Sequence, residues 1–263
     1  MNDARNQPPD RSDDAPSFPA SARLVVRVTN GIGNRLAAFV SALVIAEHCR
    51  VPLQVIWPSR ERECPGAFGS LFGRESIEAV DIVEDATGNW INGEDITATQ
   101  LLSAFQRGET VHLLAFTIFG MDLFAGWEFH EHFRARLMGL HPAPGIADHR
   151  TPKNHPRIGL HLRFTDHFPC TSFTPRWCYR VAAEEIRRRY PGESVFICSD
   201  SPAFAAEIAA LLAPATVLST TLLDSTKQTR TTLTGTQAAL SDLWALSHCS
   251  VILSSPHSSF AAM

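Results

Sequence analysis

The side chains best suited to holding an anionic ligand stand where apolar, strand-like runs end. The run Ile158-Gly159-Leu160-His161-Leu162-Arg163 alternates, placing Ile158, Leu160 and Leu162 on one face and Gly159, His161 and Arg163 on the other. An arginine near the carboxyl end of a buried strand needs an anion, because an unpaired buried charge is expensive. A phosphate matches its planar fork, and an ion pair with an acidic residue such as Asp166 would also satisfy it. The next run, Val195 to Cys198, ends in Ser199-Asp200, where a carboxylate can take ribose hydroxyls or base N–H groups. Equally, Asp200 or Ser201 can simply cap the helix that follows. Val251-Ile252-Leu253 ends in Ser254-Ser255-Pro256-His257-Ser258-Ser259, whose serines either cap a helix or join backbone N–H groups in cradling a phosphate. Leu24 to Val28 ends in Asn30-Gly31-Ile32-Gly33-Asn34-Arg35 and runs into a helix. Its glycines allow close approach of backbone to ligand, or only a tight turn. A dinucleotide fingerprint would need a third glycine where Leu36 stands. Three of these four strand ends belong to the second half of the chain, and together they point to a nucleotide-phosphate site.

Ligands of open α/β sheets lie at the carboxyl ends of the strands, so the elements must form such sheets. Leu24–Val28, an amphipathic helix carrying Leu36, Phe39, Val40, Leu43 and Val44, and Leu53–Trp57 make a βαβ unit. From Ser59 to Gly108 the pattern is weak, with one strand at Val80–Val83. A strand at Val111–Phe116 and a helix at Glu128–Leu140 follow. Residues 141–156, rich in Pro, His and Asp, read as a linker. The second half alternates cleanly: strand 157–164, helix 175–190, strand 194–198, helix 202–212, strand 216–218, helix 236–247, strand 250–253. A helix begins at Ser258 and meets the last residue, Met263, about one turn later, so the C-terminus reads as clipped. The expected organisation is a disordered leader (1–22), a first α/β domain (23–140), the linker, and a second α/β domain (157–263).

Composition bounds the class. The 263 residues carry 23 Lys+Arg and 27 Asp+Glu, a net charge of −4 that argues against a protein built to coat nucleic acid. Charged residues at 19%, below the usual share of about 25%, argue against wholesale disorder. Six cysteines form no CxxC pair and read as core residues. Met1–Pro19 has no apolar stretch of the signal-peptide kind, and the apolar run Leu36–Ala46 is too short to span a bilayer. A cytoplasmic protein is expected, with peripheral membrane contact left open. The helix ending Glu184-Glu185-Ile186-Arg187-Arg188-Arg189 reads as a solvated face, Trp177 and Tyr179 as core, and His130-Glu131-His132 lacks metal-ligand spacing.

The segment Gly31 to Leu36 with its helix, and Pro52-Leu53 to Trp57-Pro58, resemble the opening motif of bacterial GDP-fucose-type glycosyltransferases, the nodulation-factor and α1,2-fucosyltransferases. Cys64, Phe68, Leu71 and Phe72 resemble a block that often follows. His161-Leu162-Arg163-Phe164-Thr165-Asp166 is similar to the HxRxGD-like motif, with Thr165 in place of its glycine and Phe164 in place of a second basic residue. Phe196-Ile197-Cys198-Ser199-Asp200 is similar to the F-x-x-S-D segment, and Leu240 to Cys249 with Ser254 to Phe260 to the closing one. The resemblance implies a GT-B-like architecture, two Rossmann-like domains with parallel sheets facing across a cleft. It implies an inverting transferase that needs no metal and no cofactor beyond its GDP-sugar donor, acting on a saccharide acceptor. Arg163 and Asp166 would be catalytic. His161, Arg163, Ser199, Asp200, Arg230, Asp242, Ser255, His257, Ser258 and Ser259 would bind the donor, and Asn30, Gly31, Gly33, Asn34 and Arg35 would line the acceptor side. A different Rossmann-type enzyme such as an oxidoreductase lacks its acid after the second strand, where Trp57-Pro58-Ser59-Arg60 stands. A non-catalytic nucleotide-binding protein is the alternative. For the general base the sequence offers Asp166, His167, Asp122 and Glu128 without choosing among them.

Overall fold

Strands that are apolar on both faces must be covered on both, and a parallel sheet with helices on each side does this. In the computed structural model, which describes residues 17–73, 77, 80–125, 127–146, 156–163, 172–219, 231–255 and 258, the chain builds two parallel sheets, covered at their central strands and exposed at the edge strand Val251–Ser254 of the second. The first consists of β1 (Arg23–Val28), β2 (Leu53–Ile56), β3 (Asp81–Val83), β4 (Ile91–Asn92) and β5 (Thr110–Ala115), in the order β3-β2-β1-β5-β4. Every pairing in it is parallel. Helix α1 (Ile32–Cys49) follows β1, α2 (Ala98–Gln106) precedes β5, and α3 (Glu128–Met138) comes after it. The second sheet holds β6 (Ile158–Leu162), β7 (Val195–Ser199), β8 (Val217–Ser219) and β9 (Val251–Ser254), in the order β8-β7-β6-β9, again parallel throughout. Helices α4 (Arg176–Arg189), α5 (Pro202–Leu212) and α6 (Leu233–Ser247) connect these strands.

Helix α1 is apolar nearly all round, and such a helix must be enclosed. Among the described residues it alone is long and apolar enough to cross a membrane, yet 83% of it is buried, walled by the first sheet, α3 and α6. It is the central helix of the first core.

Three boundaries differ from the sequence reading. Residues 17–22 are not a loose leader: Phe18 packs edge-on against Phe105 and Ala22 is fully buried. The weak stretch 59–108 contains β4 and α2. Helix α2 buries only Leu101, Ala104 and Phe105, too few for a clear period, and its signal is the Thr97/Gln100 capping box. Residues 141–146 belong to the first core rather than to a linker, since Ala143 and Ile146 are buried and the Ala143 N–H donates to the Leu71 carbonyl at 2.8 Å. The expected helix beginning at Ser258 lies, apart from that residue, outside the described residues.

Helix α6 is shared between the two units. Leu240 and Leu243 insert into the first core, whereas Ala245 and Leu246 pack with Phe196 and Cys198 under the second sheet. The Gln237 side chain donates to the Ser70 carbonyl at 3.1 Å, and Trp244 meets His141 edge to face. In α4 the spacing Tyr179, Ala183, Ile186 selects the inward face. Tyr179 is therefore buried as expected. Trp177 is not: it is 62% exposed, two residues round the helix from that face.

Candidate functional site

Register brings the second-half strand ends together. Leu162 lies opposite Ser199, and His161 lies between Cys198 on one side and Ser254 on the other. Arg163 and Asp200, each one residue beyond its strand, therefore meet. The Arg163 Nε is 3.4 Å from Asp200 Oδ2, with both side chains 18% exposed. Asp200 is thus an ion-pair partner of Arg163, and Asp166, which the sequence suggested for that role, lies outside the described residues. The Ser199 hydroxyl accepts from the Ser201 N–H at 3.0 Å, tightening the turn into α5, and no side chain caps that helix. An oriented, mostly water-excluded guanidinium is a strong site for oxyanions.

His161 is 4% exposed. Burial first, and the Arg163 charge second, press its pKa down to about 4, with Asp200 pulling the other way. The imidazole is neutral across the ordinary pH range. Because the unfolded chain protonates near pH 6.5 while the folded chain resists until about pH 4, unfolding takes up a proton in that window. Stability is accordingly full above pH 6.5 and falls as pH drops towards 4, by up to about 3 kcal/mol from this residue alone. Denaturant unfolding at pH 7 and pH 5 should show this slope, and His161→Gln should flatten it. An equal slope in the variant would exclude His161 as its source.

The thiol of Cys198, beneath the same sheet end, is pushed well above its ordinary range by burial and then by the charges of Asp242 and Asp200. Asp242, half-buried on α6, is thus within electrostatic reach of the Arg163–Asp200 pair's strand ends. Ser255 is 2% exposed, and its hydroxyl shares a short hydrogen bond with the Tyr179 hydroxyl, which also comes within 3.5 Å of the His161 carbonyl oxygen. Tyr179 is the site residue the sequence reading missed, having assigned it to the core. The signal was a phenol at a core-facing position, whose hydroxyl must find a partner when buried. Ser258 is half-buried. Asp166, Arg230, His257 and Ser259, and the alternative base His167, lie outside the described residues. Of the other base candidates, Asp122 accepts from the Ala98 N–H at the start of α2, and exposed Glu128 lies 3.8 Å from His132.

In the first unit Asn30 adopts the left-handed conformation (φ 68°), and Gly31 caps α1 with no side-chain cap. A Cβ on Gly31 would meet nothing within 4 Å, so this turn opens outward, with buried Gly33 and half-buried Asn34 behind it. Arg35 departs from expectation. It is wholly buried, donating from Nε to the Asn30 carbonyl (3.0 Å), from one terminal nitrogen to the Pro58 carbonyl (2.9 Å) and from the other to Glu61 (2.8 Å). Its guanidinium also lies over the Trp57 ring at 5.2 Å. Arg35 lines no open cleft, because its guanidinium is buried and three of its five N–H groups lock the Asn30 turn to the Pro58–Glu61 loop. The carboxyl end of the second sheet thus gathers a guanidinium, a neutral imidazole, two carboxylates and a buried Ser–Tyr pair. No group of three His, Cys, Asp or Glu among the described residues is arranged to hold a metal ion.

No protein-family model matches the chain, and no curated protein matches it. Solved structures do. The fucosyltransferase NodZ from Bradyrhizobium superposes with a TM-score of 0.61 at 19% identity, over 92% of this chain and 91% of that one. NodZ α-1,6-fucosyltransferase co-crystallised with GDP gives 0.60. A mutant of FUT1 from Arabidopsis thaliana in complex with GDP gives 0.59 at 13% identity, over 91% of this chain and 67% of that one. POFUT1 in complex with GDP-fucose gives 0.53 at 12% identity, over 93% and 94%. The two-sheet, GT-B-like fold of this chain is the fold of these fucosyltransferases.

Proposed function

We propose that the chain is an inverting glycosyltransferase that moves fucose from GDP-fucose to a saccharide hydroxyl without a metal ion, in the cytoplasm. The observation that carries this reading is the Arg163–Asp200 pair beside buried, neutral His161 at the carboxyl end of the second sheet. The fold likeness supports it, since NodZ was crystallised with GDP and POFUT1 with GDP-fucose.

In this reading the diphosphate lies against Arg163 and the serines following β9. His161 and Asp242 face the nucleoside, and the turn at Asn30–Asn34 faces the acceptor. As the bond from the sugar C1 to the β-phosphate oxygen breaks, negative charge grows on the departing GDP. The acceptor oxygen bonds to C1 from the opposite face and loses its proton to a general base, for which the sequence offers Asp166 among other candidates. Arg163 is already oriented by Asp200, so it meets the growing charge with little reorganisation, which is where such donors are worth most.

Calorimetric titration with GDP, UDP and NAD, followed by a hydrolysis assay with GDP-fucose, tests the reading. The expected result is binding of GDP in preference to the other two, and turnover of GDP-fucose. Binding of GDP without turnover would favour a non-catalytic nucleotide-binding protein, and tightest binding of NAD would overturn the donor assignment.

A further inference from the structure

Beyond the donor site, one surface has a composition that the transfer reaction does not use. Trp177 and Val181 on the outer side of α4 are 62% and 54% exposed, and Phe173, just before the helix, is 68% exposed. The four-residue spacing of Trp177 and Val181 puts them on one side of α4, opposite the buried Tyr179, Ala183 and Ile186, with Phe173 in the segment that precedes the helix. Isolated exposed apolar residues are ordinary, but three large ones within nine residues, two of them aromatic, are not. The same helix carries five arginines against two glutamates, in a chain whose net charge is −4. By helical geometry Arg188 and Glu184 continue the line of Trp177, and Arg180 and Arg187 lie along one side of it.

We propose that this face of α4 docks on an anionic phospholipid surface. Indole and guanidinium are both suited to the headgroup region, where an apolar body is buried and a polar end stays wet. Charge complementarity singles out an anionic surface. Attraction is felt only within a Debye length of about 8 Å, so the charges near the helix decide the outcome, and its five arginines outnumber Glu184, Glu185 and the neighbouring Glu207. The ion pairs that Arg180 makes with Glu207, and Arg188 with Glu185, are exposed and hold the arginines only weakly in place. Through Tyr179 the same helix holds Ser255, so docking sets the donor end of the second sheet close to the bilayer. The inference stands independently of the transfer reaction, because binding is measured without any sugar nucleotide.

The test is co-sedimentation of the full chain with vesicles of equal parts phosphatidylglycerol and phosphatidylcholine, and with phosphatidylcholine vesicles alone, at low and at physiological salt. Binding to the anionic vesicles only, weakened by salt, is expected. Arg187→Gln with Arg188→Gln should lower partitioning about 25-fold, roughly fivefold for each arginine. Trp177→Ser should lower it as well, with the thermal midpoint of each variant unchanged. Failure to bind either vesicle, or equal binding by both variants, overturns the proposal. So does a dimer of the free protein that Trp177→Ser dissolves, which would assign the stripe to a second copy of the chain.

Discussion

Replacing Arg163 by alanine is expected to lower turnover of GDP-fucose by about 10²–10³-fold, equivalent to roughly 3–4 kcal/mol of barrier. The size follows from where the guanidinium sits. Its side chain is only 18% exposed, so its charge is poorly screened by water. Asp200 fixes its orientation at 3.4 Å, so it contributes in the transition state without first being ordered. Arg163→Lys should be nearly as damaging. An ammonium keeps the charge but loses the fork that reaches a carboxylate and a diphosphate together. Steady-state kinetics separate the roles: a fall in kcat with little change in KM marks an interaction made in the transition state, and a rise in KM alone marks uniform binding. Near-normal kcat in both variants would refute the assignment and leave the pair as a structural bridge between β6 and β7.

The second large effect concerns stability rather than catalysis. Arg35→Ala is expected to destabilise the fold by about 3 kcal/mol, read as a lower denaturant midpoint at unchanged m-value. Three consequences combine. The carbonyls of Asn30 and Pro58 lose their donors in a buried setting, a cavity opens beneath Trp57, and Glu61 loses a close partner. The last is the smallest, because Glu61 is 29% exposed and can rehydrate. Arg35→Lys keeps the charge but cannot reach three acceptors in three directions, so it should lose about 2 kcal/mol. Both variants should retain most of their GDP affinity, since the Arg35 side chain is wholly buried and its hydrogen bonds are internal. Lost GDP binding in a folded Arg35→Lys protein would return this residue to the ligand side.

Much of the fold was legible because its signals are local. Continuous apolar runs between helical periods mark strands buried on both faces, and strands alternating with helices leave little choice but parallel sheets. The strand ends that carry His161, Arg163, Ser199, Asp200 and Ser255 could be named for the same reason, since ligands of such sheets lie at the carboxyl edge. Elements with few buried residues, β4 and α2, fell below that signal, and so did the order of the strands.

Which polar group meets which was not legible, because partners far apart in sequence are chosen by packing. Arg35 and Arg163 each follow a βα turn or strand end and look alike in one dimension. Only the folded chain turns Arg35 inward, onto two carbonyls and Glu61, while leaving Arg163 beside Asp200 at the edge of the sheet. Trp177 and Tyr179 stand two residues apart, and rotation of the helix alone buries the phenol and exposes the indole. Helix α6 reads as part of the second unit, yet half of its apolar face fills the first core. The sequence by itself determined the class of fold and the strand ends at which chemistry could gather, because both rest on short-range periodicity. The tertiary structure alone decided which charges are satisfied internally and which stay at the open edge of a sheet, because desolvation is a property of everything packed around a group.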